Sequence, residues 1–399
     1  MPGSKQFFIP VAVTLITGIA HAQQTMIPKI QWNCTAALPA VQPSSPVSGL
    51  AGAVIGEHHN MLVVAGGSDF PGKKPWEGGK KAYYNQLYTL ALNEGGVQGQ
   101  WKQQESSLPG PVAYCASTSM EMGIVYAGGE NADGLTDQVF LLEWDDLHAK
   151  VVIRALPTLP DKRANLAMAS IGKKIYAAGG ENEQKAFADL MVLDLGAANP
   201  QWQALAPMPK ALSHGAAIHQ QKGKEDCIYI IGGRARTDSG ISHLSGSVFC
   251  YHPHDNRWEQ LPDIQVGGTK MNLSAAAAVP LGTEYILVAG SDDGVLFHQL
   301  ETLNLALGNT RDSKQYQQLL EKKMRIILHH PGFNKSVFLY HTTTGSWEKC
   351  GELPYAAVTT TAVQWKQQIL IPCGEIRPGT RTFNVLKGTI TEQTKLQSH

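Results

Sequence analysis

Lys174-Ile-Tyr-Ala-Ala-Gly-Gly180 is a short, largely apolar run closed by two glycines, and its form occurs six times. The others are Met61-Leu-Val-Val-Ala-Gly-Gly67, Gly123-Ile-Val-Tyr-Ala-Gly-Gly129, Cys227-Ile-Tyr-Ile-Ile-Gly-Gly233, Tyr285-Ile-Leu-Val-Ala-Gly290 and Gln368-Ile-Leu-Ile-Pro-Cys-Gly374. A brief apolar run ending in a turn residue reads as a buried strand, and its regular return reads as a repeat. Small-residue strands precede each run, at 51–55, 113–119, 165–171, 214–219, 274–279 and 359–365. A third strand follows each, and a fourth opens with Trp101, Trp202, Trp258 or Trp347; the second repeat has Val151-Val-Ile-Arg154 there instead. The sixth repeat has no Trp after Phe383, but Gln31-Trp32 stands at the other end of the chain, followed by Leu38-Pro39. The reading is an all-β, six-bladed propeller in which an N-terminal strand completes the last blade. Closure of this kind removes the free strand edges that invite aggregation.

Four strands per repeat, a glycine pair and a trailing Trp resemble the kelch motif. One propeller over residues 23–399 accounts for a 399-residue chain that length alone would divide into several domains. The first 22 residues read as a signal peptide: Lys5, an apolar stretch from Phe7 to Ala20, and Ala20-His21-Ala22 as a small-x-small cleavage site. The expected mature chain begins near Gln23, is periplasmic or otherwise secreted, and has no membrane association after cleavage. Lys+Arg and Asp+Glu are 33 each, so no basic field exists to hold a nucleic acid. The six cysteines form no C-x-x-C pair and read as buried strand residues. His252-x-His254 and His329-His330 have no third ligand nearby in sequence, so no metal or cofactor is expected.

In a propeller the loops between second and third strands share one face. Most are short here. Blade 1 has a long one, Ser68–Gln86, containing Asp69-Phe-Pro-Gly-Lys-Lys-Pro-Trp76, and blade 5 has Ser291–Lys335. Within the latter, Tyr316, Leu319, Leu320, Met324 and Ile327 recur at helical spacing over Ser313–Leu328. Closure puts blade 6 between these two blades, so both loops should rise beside it as pocket walls. Their alternative use is a homodimer surface.

The corresponding loop of blade 6 reads Gly374-Glu375-Ile-Arg-Pro-Gly-Thr-Arg381. Pro378-Gly379 is a turn pair that can bring Arg381 back toward Glu375. Glu130 and Glu181 hold the same place in blades 2 and 3 and are read as carboxylates bonded to turn amides. Glu-x-x-Pro-Gly-x-Arg after such a strand resembles the catalytic loop of the N-acetylneuraminate mutarotase (epimerase) family. Gly66-Gly-x-x-Phe70, followed by Trp76-Glu-Gly-Gly-Lys-Lys81 and the pair Tyr83-Tyr84, is similar to another loop of that family. The blade 5 insertion has a helical counterpart there, and the order of these elements is that of a cyclically permuted branch. The resemblance implies sialic acid as substrate and places the catalytic pair on Glu375 and Arg381.

That pairing suits the chemistry. Interconverting the anomers takes one proton from the anomeric hydroxyl and delivers one to the ring oxygen, which a single carboxylate can serve as base and then acid. An arginine fork matches the sugar's carboxylate. Burial would raise the Glu375 pKa and Arg381 would lower it. Asp69, Lys73, Arg234, Arg236, Asn165 and His214 are further candidates to line the pocket. A non-catalytic propeller binding a carbohydrate or protein through rim loops is the alternative, and it would not need Glu375. Sialidase boxes are not found, since Ser291-Asp-Asp-Gly294 lacks the Thr-Trp that should follow, and no copper-oxidase ligand signature is seen.

Overall fold

The computed structural model describes residues 28–35, 37–39, 49–93 and 99–391. The expected leader at 1–22 lies outside them. Six four-stranded antiparallel sheets make the six blades of a propeller. Blade 4 is typical: Ala216–Lys222, Glu225–Ile231, Val248–His252 and Arg257–Leu261 run in order from axis to rim. The core lies in the interfaces between blades. Val125 and Leu141 of blade 2, for example, pack with Met168, Ile175 and Leu193 of blade 3. Each fully buried side chain of this size contributes about 1.5–3 kcal/mol.

Blade 6 comprises Val363–Trp365, Gln368–Pro372, Val385–Thr391 and, at the rim, Lys29–Thr35. The N-terminal strand is therefore the missing fourth strand, in register from Lys29 opposite Thr391 to Thr35 opposite Val385. Leu38 continues the junction by donating its amide to the Phe383 carbonyl at 3.0 Å.

The inner strands begin two to four residues later than their composition suggests, at Val54, Ala116, Ala167, Ala216, Ala277 and Val363. The residues assigned to their starts turn instead. Gly52, Tyr114, Asn165, His214, Ala275 and Thr359 all have φ between 51° and 66°, the left-handed region that ends a strand. Their amides and carbonyls form a closed ring around the axis. Tyr114 donates to Gly52, Asn165 to Tyr114, His214 to Asn165, Ala275 to His214, Thr359 to Ala275, and Gly52 back to Thr359, at 2.8–3.2 Å. The small residues are used for this close convergence of six chains rather than for strand extension.

The blade 5 insertion carries two helices, α1 (Val295–Asn309) and α2 (Ser313–Leu328). The second has the expected bounds and is capped by Asp312, whose side chain accepts the Gln315 amide at 2.6 Å. The first was not anticipated because its apolar residues do not form one stripe: Leu303 is 5% exposed and Leu305 42%. Among the described residues no helix is long and apolar enough to cross a membrane. The cysteines are all unpaired; Cys227, Cys250 and Cys373 are buried as expected, but Cys34 is exposed on the rim strand.

Candidate active site

Immediately after each second strand the chain makes one further bridge to the turn beside the axis. The bridging pairs are Ser68 with Ala51, Glu130 with Ala113, Glu181 with Ala164, Arg234 with Ser213, Asp292 with Ser274 and Glu375 with Val358. Six equivalent positions thus ring one face of the propeller, and five of them carry charge. The glycines before them take positive φ, which lets the strand turn inward; Gly374, at 105°, is one.

Glu375 pairs across a tight hairpin with Arg381, so the Pro378-Gly379 turn acts as the sequence indicated. The Gly379 amide donates to Glu375 Oε1 at 2.6 Å, and Arg381 Nη2 lies 3.9 Å from Oε2. Burial pushes the Glu375 carboxyl above the ordinary glutamate range; Arg381, the Gly379 amide and Lys81 pull it down, and nearby Asp292 adds to the rise. Burial prevails over the arginine.

Arg381 is itself enclosed, with a side chain only 2% exposed. Its guanidinium lies 4.6 Å above the Phe70 ring, Nη2 donates to the Tyr114 hydroxyl at 3.0 Å, and Nη1 is 3.9 Å from Asp69 Oδ1. Arg381 Nε and Nη1 and Asp69 Oδ1 are buried without hydrogen-bond partners. Asp69 is thus brought to Arg381. Lys73 is exposed. Its neighbour Lys74 makes the link to blade 6 instead, donating to the Gly379 carbonyl at 2.9 Å, while Pro75 and Trp76 press against Gly379. The blade 1 loop therefore abuts the Glu375–Arg381 hairpin, as its position in the repeat indicated.

The blade 5 insertion stands on the other side. A cavity of about 330 Å³ opens between it and the ring of bridging residues. Arg234, Asp292, Phe297, Asn304, His330 and Glu375 are among its walls. Helix α1 supplies Phe297, over which the Arg234 guanidinium sits at 5.2 Å. The blade 4 loop is a third long one, and it holds α1 through the Ser242 amide and hydroxyl on Glu301 at 2.7 and 2.9 Å.

Glu181 is not bonded to turn amides. It accepts from Arg234 Nη2 at 2.7 Å, Asn165 Nδ2 at 3.3 Å and Ser213 Oγ at 3.1 Å, with His214 Nδ1 at 3.8 Å. Arg234, Asn165 and His214 are thereby one cluster at the cavity floor. Arg236 points elsewhere and ties the blade 4 loop to the carbonyls of Asn182 and Glu183 at 3.0 and 2.9 Å. Glu130 likewise serves side chains, accepting from Lys81 at 2.8 Å and Tyr83 at 2.7 Å. Sequence reading missed Asp292, whose carboxyl burial also pushes up. The signal was available, because Asp292 stands two residues past Gly290, as Glu130 and Glu181 stand two past Gly128 and Gly179.

The fold and this face define a six-bladed propeller with a charged, partly roofed cavity at one end. The profile of the family described as N-acetylneuraminate epimerase matches residues 13–152 and 156–398, and the chain belongs to that family. Relatives named N-acetylneuraminate epimerase include one from Haemophilus influenzae (strain 86-028NP), 24% identical over 242 residues, 59% of each chain. One from Brucella melitensis biotype 1 is 27% identical over 230 residues, 57% of this chain and 56% of its own. One from Vibrio vulnificus (strain YJ016) is 39% identical over 111 residues, 26% of this chain and 27% of its own. The matches with these curated relatives span less than two thirds of their length.

Proposed function

We infer that the chain is an isomerase that interconverts the α and β anomers of N-acetylneuraminate, with Glu375 as the proton carrier. The observation that carries this reading is a buried carboxylate with a raised pKa in the wall of a cavity lined by both charged and apolar side chains. A base must be able to take up and return a proton near neutral pH, and burial moves Glu375 toward that range. Ionised Glu375 takes the proton of the anomeric hydroxyl as the bond from the anomeric carbon to the ring oxygen breaks, and the protonated carboxyl then gives that proton to the ring oxygen, which leaves Glu375 ionised again. The open keto form rotates about the carbon–carbon bond that joins the carbonyl to the former ring, and the ring oxygen re-adds to the other face with the proton movements reversed. No net proton or oxidant is consumed.

The substrate's carboxylate needs a cation beside the anomeric carbon. Arg234 lines the cavity and is the better placed of the two arginines; Arg381, being enclosed, acts on Glu375 by favouring its ionised form and so limiting the rise in its pKa. Family membership and the relatives' printed names support the substrate class. Export to the periplasm, where released sugar acids would be met, remains part of the proposal.

The test is proton NMR of freshly released α-N-acetylneuraminate with and without the protein. Wild type should speed the approach to the anomeric equilibrium, and Glu375→Gln should lose about 10²–10⁴-fold in turnover while keeping its fold. A Glu375→Gln protein that works at the wild-type rate would remove Glu375 from the chemistry. A protein that binds the sugar but never changes the exchange rate would be a binding module.

A further inference from the structure

Blade 4 holds a second cluster of reactive side chains at the far end of the strand Glu225–Ile231 from Arg234. Cys227 lies on that strand, and Cys250 and His252 on its neighbour Val248–His252. The register sets Tyr229 opposite Cys250 and Ile228 opposite Tyr251, so Cys227 falls opposite His252 on the same sheet face. The two Sγ atoms and an imidazole nitrogen lie within 4.8 Å of one another, and Cys227 Sγ is 3.7 Å from His252 Nδ1. All three residues are buried.

We propose that Cys227, Cys250 and His252 bind a zinc ion, with Glu225 as the fourth ligand. A tetrahedral zinc with sulfur at about 2.3 Å and nitrogen at about 2.0–2.1 Å needs donor atoms roughly 3.5–3.8 Å apart. Cys227 Sγ and His252 Nδ1, 3.7 Å apart, already have that spacing, and the three donor atoms all lie within 4.8 Å of one another. Glu225 Oε2 is 2.9 Å from His252 Nδ1, on the ligand side of the ring. The opposite ring nitrogen, Nε2, is 3.0 Å from Glu259 Oε2, and Lys222 Nζ lies 2.6 Å from both oxygens of Glu259. A carboxylate on the far nitrogen of a ligating histidine orients the ring and raises its donor strength. The Tyr229 hydroxyl, on the residue facing Cys250, is buried beside that thiol. A metal-bound thiolate would accept from it. Glu225, Glu259 and Lys222 are partly exposed and give an ion a route inward. His254 faces outward at 91% exposure and takes no part. Binding converts two thiols to zinc thiolates, displaces the proton that His252 Nδ1 shares with Glu225, and releases these protons to solvent.

The reduced, metal-stripped full chain, incubated with zinc chloride and passed through a desalting column, should retain one zinc per chain by mass spectrometry of the metal. Cobalt(II) in its place should give an intense near-ultraviolet thiolate-to-cobalt band and the visible spectrum of a tetrahedral site. Cys250→Ser and His252→Ala should bind at least 10-fold more weakly, while Cys350→Ser should not differ from wild type. Should the variants fail to fold, the cobalt spectrum of wild type decides alone. Absence of that band, zinc retained equally by Cys250→Ser, or a Cys227–Cys250 disulfide that persists in an exported chain supplied with zinc would each overturn the site.

Discussion

Trp32 lies directly across the ladder from Gly388, and a Cβ on that glycine would stand 2.9 Å from two carbons of the indole ring. This contact welds the two ends of the chain into one blade. Gly388→Ala should overpack the joint and cost about 1–3 kcal/mol by urea denaturation. Trp32→Leu should recover part of that loss in the double variant, since neighbours in contact couple. Additive effects would mean that the joint is looser than the register implies.

Glu375→Gln should do more than slow turnover. Because the native pKa is raised, the folded protein holds its proton over a pH window in which the unfolded chain has released it. The stability tied to protonated Glu375 is complete below the unfolded pKa, about 4.3, and is lost as pH rises through the folded value. Gln cannot ionise, so the variant should melt higher than wild type at neutral pH, and the gap should close in acid. Thermal midpoints across pH measure this. A variant less stable than wild type at neutral pH would show the carboxylate to be a structural turn anchor.

Arg381→Met separates positioning from binding. With the cation gone, the Glu375 pKa should climb further, and the acid limb of the pH profile of kcat/KM should move to higher pH. Arg234→Met should instead raise KM and leave that limb in place. If Arg381→Met weakens binding without moving the limb, the carboxylate fork belongs to Arg381, the role its family resemblance gives it.

The blades were legible because each apolar run ends at a glycine that the backbone needs for its turn. Glu375 and Arg381 were legible because a Pro-Gly turn separates them at hairpin spacing. What escaped notice depends on distant strands. Nothing local marks Tyr114 or Thr359 as left-handed, since the axial ring of hydrogen bonds imposes it. Cys227 and His252 are 25 residues apart and meet only through strand register. Glu181 resembled a turn carboxylate because its partners Asn165 and Arg234 come from the inner turn of its own blade and the loop of the next.

His214 supplies the last prediction. Burial, and then the Arg234 charge, push its imidazole well below the ordinary histidine range, so it is neutral in the native protein at neutral pH. The unfolded chain takes up this proton first, near pH 6.5. Stability tied to neutral His214 is therefore lost as pH falls through that value, with a slope of up to about 1.4 kcal/mol per pH unit. The variant of choice is His214→Asn. Position 214 has φ 56°, and the equivalent residue in the preceding blade, Asn165, is an asparagine at φ 55°, so the backbone should accept the change. Urea midpoints taken from neutral to mildly acidic pH should fall more steeply for wild type than for His214→Asn. Parallel curves would mean that His214 takes up its proton alike in the folded and unfolded chains, with Glu181, 3.8 Å away, offsetting burial and Arg234 at the cavity floor.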